Sequence, residues 1–320
     1  MNIHVLALNG VLDTGLAAVL DAFGFANTLA EMTGVSSLRF ETSVVGLRKT
    51  VTTARGLGVP VTSALRAPTP DVVLMPAINR IMPEPLVQAL ASSEVREAGA
   101  VLRTWSERGA LTAAACVGTF VMAEAALLDG EDATTTWWLA PLFRQRYPRV
   151  RLDESQIVVQ SNTVVTAGAA LSHLDLALTL IRRANPELAD LTAKYLVADA
   201  RTSQAPYAIP GHLVHVDPLV IRFERWARQR LAKGFSLDQA AAELATSKRT
   251  LARRMQGVLG KSPLEYLQDL RIERAVHLLR NSQASVDQIA AEVGYAEGVT
   301  LRALLRRRFG RGVREIRQSL

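Results

Sequence analysis

The 320 residues are 49% apolar and 21% charged, a soluble balance too long for one domain of typical size and comfortable for two. The single cysteine, Cys116, excludes an intrachain disulfide and suits a reducing, cytoplasmic setting; Asp13 and Asp21 interrupt the first apolar stretch, which argues against a secretion signal. The net charge of +7 is unevenly spread: residues 218–320 carry 20 Lys and Arg against 10 Asp and Glu, whereas 1–217 carry 17 against 20, so only the last third is suited to a polyanion.

The first 200 residues alternate between short apolar runs and amphipathic stretches. Strands are expected at Ile3–Leu8, Phe40–Leu47, Val72–Met75, Leu111–Ala115 and Val164–Thr166. Helices are expected at Thr14–Ala30, Pro85–Arg108, Phe120–Leu128, Leu171–Arg183 and Leu188–Ala198. This order predicts a doubly wound, flavodoxin-like α/β sheet with its site at the carboxyl ends of the strands. Ala110–Leu128 is long enough to raise the question of a membrane span, but it is rich in alanine and contains Glu124 and Gly118, so no membrane association is expected.

Ala113-Ala-Ala-Cys-Val-Gly-Thr-Phe120 reads as a strand turning sharply into a helix, with the cysteine at the turn. A thiol beside a helix N-terminus is expected to have a lowered pKa. Cys116-Val-Gly-Thr-Phe-Val-Met-Ala-Glu-Ala-Ala-Leu-Leu-Asp-Gly130, followed by Ala133-Thr-Thr-Thr-Trp137, resembles the PfpI protease and isonitrile hydratase superfamily, a class I glutamine amidotransferase-like fold. The resemblance implies a nucleophile elbow. Where relatives show histidine beside Trp137 stands Thr136, and Gly15 takes the position of the glutamate, with Asp13 the only acid nearby. Nucleophilic cysteine chemistry needs a base, so no catalytic residue is expected. A ligand pocket is expected instead, from Asp13, Cys116, Val117, Gly118, Thr136 and Trp137, with the Val117 and Gly118 N–H groups facing a small anion or carbonyl and Trp137–Trp138 as an apolar wall. The tryptophan pair reads equally well as core or dimer packing.

Arg201–Val216, with two prolines, a glycine and little periodicity, reads as a linker between domains 1–200 and 217–320. The second domain contains a repeat. Ser236-Leu-Asp-Gln-Ala-Ala-Ala-Glu-Leu244 returns as Ser285-Val-Asp-Gln-Ile-Ala-Ala-Glu-Val293, 49 residues later. Each copy offers a capping serine, an aspartate in the first turn and an apolar stripe at i, i+3, i+4 and i+7. After a break at Thr246-Ser247 or at Gly294–Gly298, each leads into an arginine-rich helix with stripes Leu251, Met255, Val258 and Leu301, Leu305, Phe309. Two helix-turn-helix units, joined by an amphipathic helix over 263–279, therefore make the second domain all-α and direct it to double-stranded DNA.

Ser247-Lys-Arg-Thr-Leu-Ala-Arg-Arg-Met255, Leu259-Gly-Lys-Ser-Pro-Leu-Glu-Tyr-Leu267 and Arg271-Ile-Glu-Arg-Ala275 resemble the AraC/XylS DNA-binding domain. With the first domain and Arg201-Thr-Ser-Gln-Ala-Pro206, the whole chain resembles the GlxA group of AraC-type regulators, in which the enzyme-like domain is taken to sense a ligand. Reading positions carry over to Arg249, Ala252 and Arg253, and to Gly298, Val299, Thr300 and Ala303. Leu301 and Leu305 stand where the family shows phenylalanine, and Arg311-Gly312-Val313 replaces Val-Ser-Pro. The expected DNA contacts are Lys248, Arg249, Thr250, Arg253 and Arg254 in the first unit and Thr300, Arg302, Arg306 and Arg307 in the second. Arg249 and Arg253, four apart, can each grip a guanine edge, while Arg254, Arg302, Arg306 and Arg307 suit phosphates.

These features predict a ligand-controlled transcription regulator, homodimeric, contacting RNA polymerase if it activates, with no cofactor or metal. Two alternatives remain open. A cysteine hydrolase or hydratase fused to a DNA-binding domain would show turnover lost in Cys116→Ala. An architectural DNA-binding protein would bind DNA without regard to any metabolite.

Overall fold

The structure, a computed structural model, describes residues 1–35, 38–161 and 163–318 and divides into two units, Met1–Gln204 and Ala205–Leu320. In chain order the first unit contains β1 (Asn2–Leu6), α1 (Asp13–Met32), β2 (Glu41–Gly46), β3 (Thr50–Thr52), β4 (Gly58–Pro60), β5 (Thr62–Ser63) and β6 (Val72–Met75). Then come α2 (Pro83–Leu90), α3 (Ser93–Glu107), β7 (Leu111–Ala115), α4 (Gly118–Glu124), β8 (Asp132–Ala133), α5 (Ala140–Arg146) and β9 (Arg151–Leu152). β10 (Val158–Gln160), β11 (Val164–Ala167), α6 (Ser172–Ala184) and α7 (Pro186–Tyr195) complete it.

The main sheet has the order β10-β11-β7-β6-β1-β2-β5, parallel except for β10 against β11. Because side chains alternate along a strand, Ile3, Val5, Val72, Leu74, Ala113, Ala115, Val165 and Ala167 all face α1, α6 and α7 in one core. The other side of β1 turns toward α3, where the His4 ring meets Trp105 at 5.3 Å. The strand order reverses at β1 and β6, the point at which open α/β sheets place their sites, and β7 follows next to β6.

All five expected strands are present. The helix expected over Pro85–Arg108 is two helices, because Ser92 accepts a hydrogen bond from the Val95 N–H and starts α3 afresh. The helix expected to run to Leu128 ends at Glu124, and Ala126 takes a left-handed φ of 57°.

The second unit is helical: α8 (Pro218–Arg228), α9 (Leu237–Glu243), α10 (Lys248–Leu259), α11 (Pro263–Asn281), α12 (Val286–Glu292), α13 (Gly298–Phe309) and α14 (Val313–Gln318). It has two cores. Phe223, Leu251, Met255 and Tyr266 belong to the first; Ile289, Val293, Leu301 and Leu305 belong to the second. α11 serves both, giving Tyr266, Leu267 and Leu270 to one and Ile272, Ala275 and Leu279 to the other. A Ser262–Glu265 capping box starts it.

The segment read as a linker is packed along its length. In the first unit, Arg201 pairs with Asp175, and the Gln204 amide is buried, accepting from Ala169 N–H and donating to the Thr135 and Gln156 carbonyls. Its amide also fills the place a Cβ on Gly168 would take. From Ala205 onward the segment lies on the helices of the second unit.

Candidate nucleic-acid interface and ligand site

Cys116 follows the end of β7 and adopts φ 56°, a left-handed conformation that costs a non-glycine residue roughly 1–2 kcal/mol. Its N–H donates to Ala167 O and its carbonyl accepts from the Thr135 hydroxyl, so both neighbouring segments hold the turn. Gly118 allows the tight descent into α4: a Cβ there would lie 2.4 Å from Met75 O. The elbow geometry read from the sequence is therefore present.

The expected acidity of the thiol is not. Cys116 is 4% exposed, and burial pushes its pKa up to about 11, outweighing the Val117 backbone N–H and the nearby Thr136 hydroxyl. A one-turn bias from seven helical residues cannot offset loss of water around a thiolate. Thr136 Oγ1 is buried and makes no hydrogen bond of ordinary geometry among the described residues.

His173, which no sequence motif tied to this region, stands against the start of α1 and the chain after β6. Gly15 leaves a gap, and the imidazole fills it: a Cβ on Gly15 would lie 2.7 Å from Nε2. Nε2 accepts from the Ala77 N–H at 3.1 Å, which leaves Nδ1 as the donor to Ala170 O at 2.6 Å. Burial lowers its pKa to about 4, so the ring is neutral, with both nitrogens committed. The one available sequence signal was Gly15 itself, since an absent side chain at a packed position must be replaced by another.

Asp13 accepts from the Thr53 hydroxyl and the Arg55 N–H. Trp137 and Trp138 are half-buried, their rings perpendicular at 5.4 Å, and the Trp138 indole donates to Ile81 O. The exposed Ile81 and Met82 continue this apolar edge.

In the second unit, Ser247 caps α10 by accepting from the Thr250 N–H, and Leu251, Met255 and Leu259 bury one face. This leaves Arg249 and Arg253 exposed, with no ion-pair or hydrogen-bond partner among the described residues. Lys248 pairs with Asp238 at 2.8 Å, and Arg254 reaches Asp217 at 3.1 Å. On α13, Val299, Thr300, Arg302, Arg306 and Arg307 are exposed. Gly298, carried over as a reading position, is buried: its N–H donates to Asp287, whose carboxylate lies 2.4 Å from where a Cβ would sit. Arg271, also buried, ties the two halves of this helical unit by donating to the Leu231 and Lys233 carbonyls while lying over the Tyr295 ring.

Residues 1–183 match the DJ-1/PfpI family, and residues 240–319 match a helix-turn-helix domain family. The HTH-type transcriptional regulator GbdR of Pseudomonas aeruginosa is 27% identical over 231 residues, 71% of this chain and 63% of that relative. The HTH-type transcriptional activator RhaS of Escherichia fergusonii is 41% identical over 94 residues, 29% of this chain and 34% of that one. An AraC family transcriptional regulator from Pseudomonas putida has a solved structure similar at TM-score 0.51 and 16% identity, covering 61% of this chain and 98% of that one. A THiJ/PfpI family protein from Pseudomonas syringae is similar at TM-score 0.51 and 18% identity, covering 62% and 76%. Both structural likenesses concern the fold.

Proposed function

The chain belongs to the DJ-1/PfpI family, and from its union with a helix-turn-helix pair we propose a sequence-specific DNA-binding transcription regulator controlled by a small molecule. The observation that carries this is the pair of repeated units, each presenting exposed arginines on its second helix. Arg249 and Arg253 would read guanine edges, with Thr250 and Thr300 as weaker donors. Lys248, Arg302, Arg306 and Arg307 would neutralise phosphates, as would Arg254 if it leaves Asp217. Helical geometry supports this division, because residues four apart share a face.

In the α/β unit we propose recognition without catalysis. The chemistry of the elbow supports that: a protonated thiol, Thr136 in the histidine position, and a His173 with neither nitrogen free to move a proton. The strained Cys116 turn, the unpaired Thr136 hydroxyl and the Trp137–Trp138 edge suit a small ligand with one polar end and an apolar body. A homodimer, and contact with RNA polymerase if the output is activation, complete the reading. No described helix is long and apolar enough to cross a membrane.

The test is duplex binding by the full chain across a salt series. Neutralising several phosphates predicts a log–log slope of several units; a flat response, or no complex at low salt, contradicts it. Cys116→Ser should leave that binding intact, and a turnover abolished by this substitution would restore the enzyme reading.

A further inference from the structure

The second unit has two separate cores and two reading helices, and α11 with Arg271 is the evident tie between them. A second tie runs through the segment that composition marks as a linker. At its start, the Ala205 carbonyl accepts from Arg308 of α13 at 3.2 Å. Arg308 also pairs with Asp269 of α11, which holds Lys261 at the exit of α10. At its end, Asp217 does two jobs. One carboxylate oxygen caps α8 through the Leu219 and Val220 N–H groups at 3.0 Å each, and the other takes Arg254 of α10 at 3.1 Å.

Between these ends the segment is seated. Pro210 is buried, and Gly211 lies so close to Arg228 that a Cβ would fall 2.0 Å from its guanidinium. Leu213 packs on the first core, and the buried His215 ring meets Glu224 at 3.2 Å, where the Tyr266 hydroxyl also donates. One end therefore grips each reading helix, through Arg308 of α13 and through Arg254 of α10. Arg308 is 18% exposed and Asp217 9%.

We infer that residues 205–217 are a brace that sets the separation and tilt of the two reading helices, with Arg308 and Asp217 as its positioning residues. The inference rests on the regulator reading. A single connecting helix can bend and roll. A second tie, anchored on α13 and α10, closes the frame and removes that freedom. Two helices must enter successive major-groove segments about 34–36 Å apart, so a fixed frame makes binding sensitive to half-site spacing.

The experiment uses the full chain. A binding sequence is selected from random duplex DNA with the wild type, then tested intact, with one base pair inserted between its halves, and with one half scrambled. Arg308→Gln releases one end of the brace, with Arg308→Lys as the charge-keeping control. Asp217→Asn releases the other and keeps an N-cap, since Asn caps as well as Asp.

Wild type and Arg308→Lys should lose about tenfold or more in affinity on insertion, the worth of roughly 1.4 kcal/mol. Arg308→Gln and Asp217→Asn should bind the intact site about tenfold more weakly and tolerate the insertion within about threefold, while the half-scrambled site changes less than twofold. An undiminished insertion penalty in both variants overturns the brace and leaves the regulator reading standing. If the wild type enriches no sequence, the regulator reading fails and takes the brace with it.

Discussion

The two helix-turn-helix units share one repeat and divide the work differently. In the first, the turn is made by Ala245 at φ 51°, Ser247 caps the reading helix, and Asp238 binds the Lys248 side chain. In the second, the turn is made by Gly294 at φ 87°, no N-cap side chain serves α13, and Asp287 supplies the missing acceptor to the Gly298 N–H. The repeated aspartate thus holds a lysine side chain in one copy, and in the other the helix backbone, with the Arg302 guanidinium farther off at 3.9 Å. A lysine opposite it leaves the first unit's helix start free to carry donors; a glycine opposite it makes the second unit's start a structural joint. On the proposed reading, the first unit reads bases with Arg249 and Arg253, and the second clamps phosphates with Arg302, Arg306 and Arg307.

The sharpest way to break the comparison is at the turns. A Cβ on Gly294 would lie 2.2 Å from Leu231 O, in a left-handed conformation besides. Gly294→Ala should destabilise the second unit by about 3 kcal/mol or more, read as early loss of amide protection in α12 and α13. Retention of wild-type protection there would show that the joint is not rigid.

Acidification separates the α/β unit from both. Below pH 6.5 the unfolded chain protonates His173, while the folded ring resists until about pH 4. Stability of the first unit should therefore fall between those values, by up to about 3 kcal/mol, and level off below. His4, also lowered by burial, acts in the same direction. Substitution of His173 by Gln should flatten that slope, and an unchanged slope would place its origin elsewhere.

Base reading distinguishes the units next. Arg253→Ala should relax preference at one or two base positions, costing roughly 1–3 kcal/mol on the preferred site, whereas Arg306→Ala should weaken all sequences alike and shallow the salt slope. Equal, uniform losses from both would erase the proposed division. Asp287→Ala should cost about 1 kcal/mol of stability and Asp238→Ala only a few tenths, since an exposed ion pair contributes little; thermal melts of the two decide it. The smallest effect runs the other way. Ala245→Gly relieves a left-handed alanine and should stabilise by about 0.5–1 kcal/mol, and a loss of stability would contradict the strain at that turn.

The sequence made the parallel strands, the elbow and both helix-turn-helix units legible because each rests on local signals: short apolar runs, a cysteine between strand and helix, capping serines before an apolar stripe. β3–β5 and β8–β10 were not legible, since two or three residues carry no periodicity. The acidity of Cys116 went wrong because a helix start can be read from order along the chain and burial cannot. The segment 201–216 looked like a linker because its anchors, Pro210, Leu213 and His215, dock one at a time without a repeat. His173 entered the elbow region only through the space Gly15 leaves.

The central claim is that one chain reads DNA through two unequal units. Selection from random duplex DNA with the full chain, followed by a hydroxyl-radical footprint on the winning sequence, tests it most directly. The account predicts two protected segments about one helical turn apart, one with sharp base preference that Arg253→Ala erases and one with little preference at all. Two equally sharp segments, or a footprint without sequence enrichment, would contradict it.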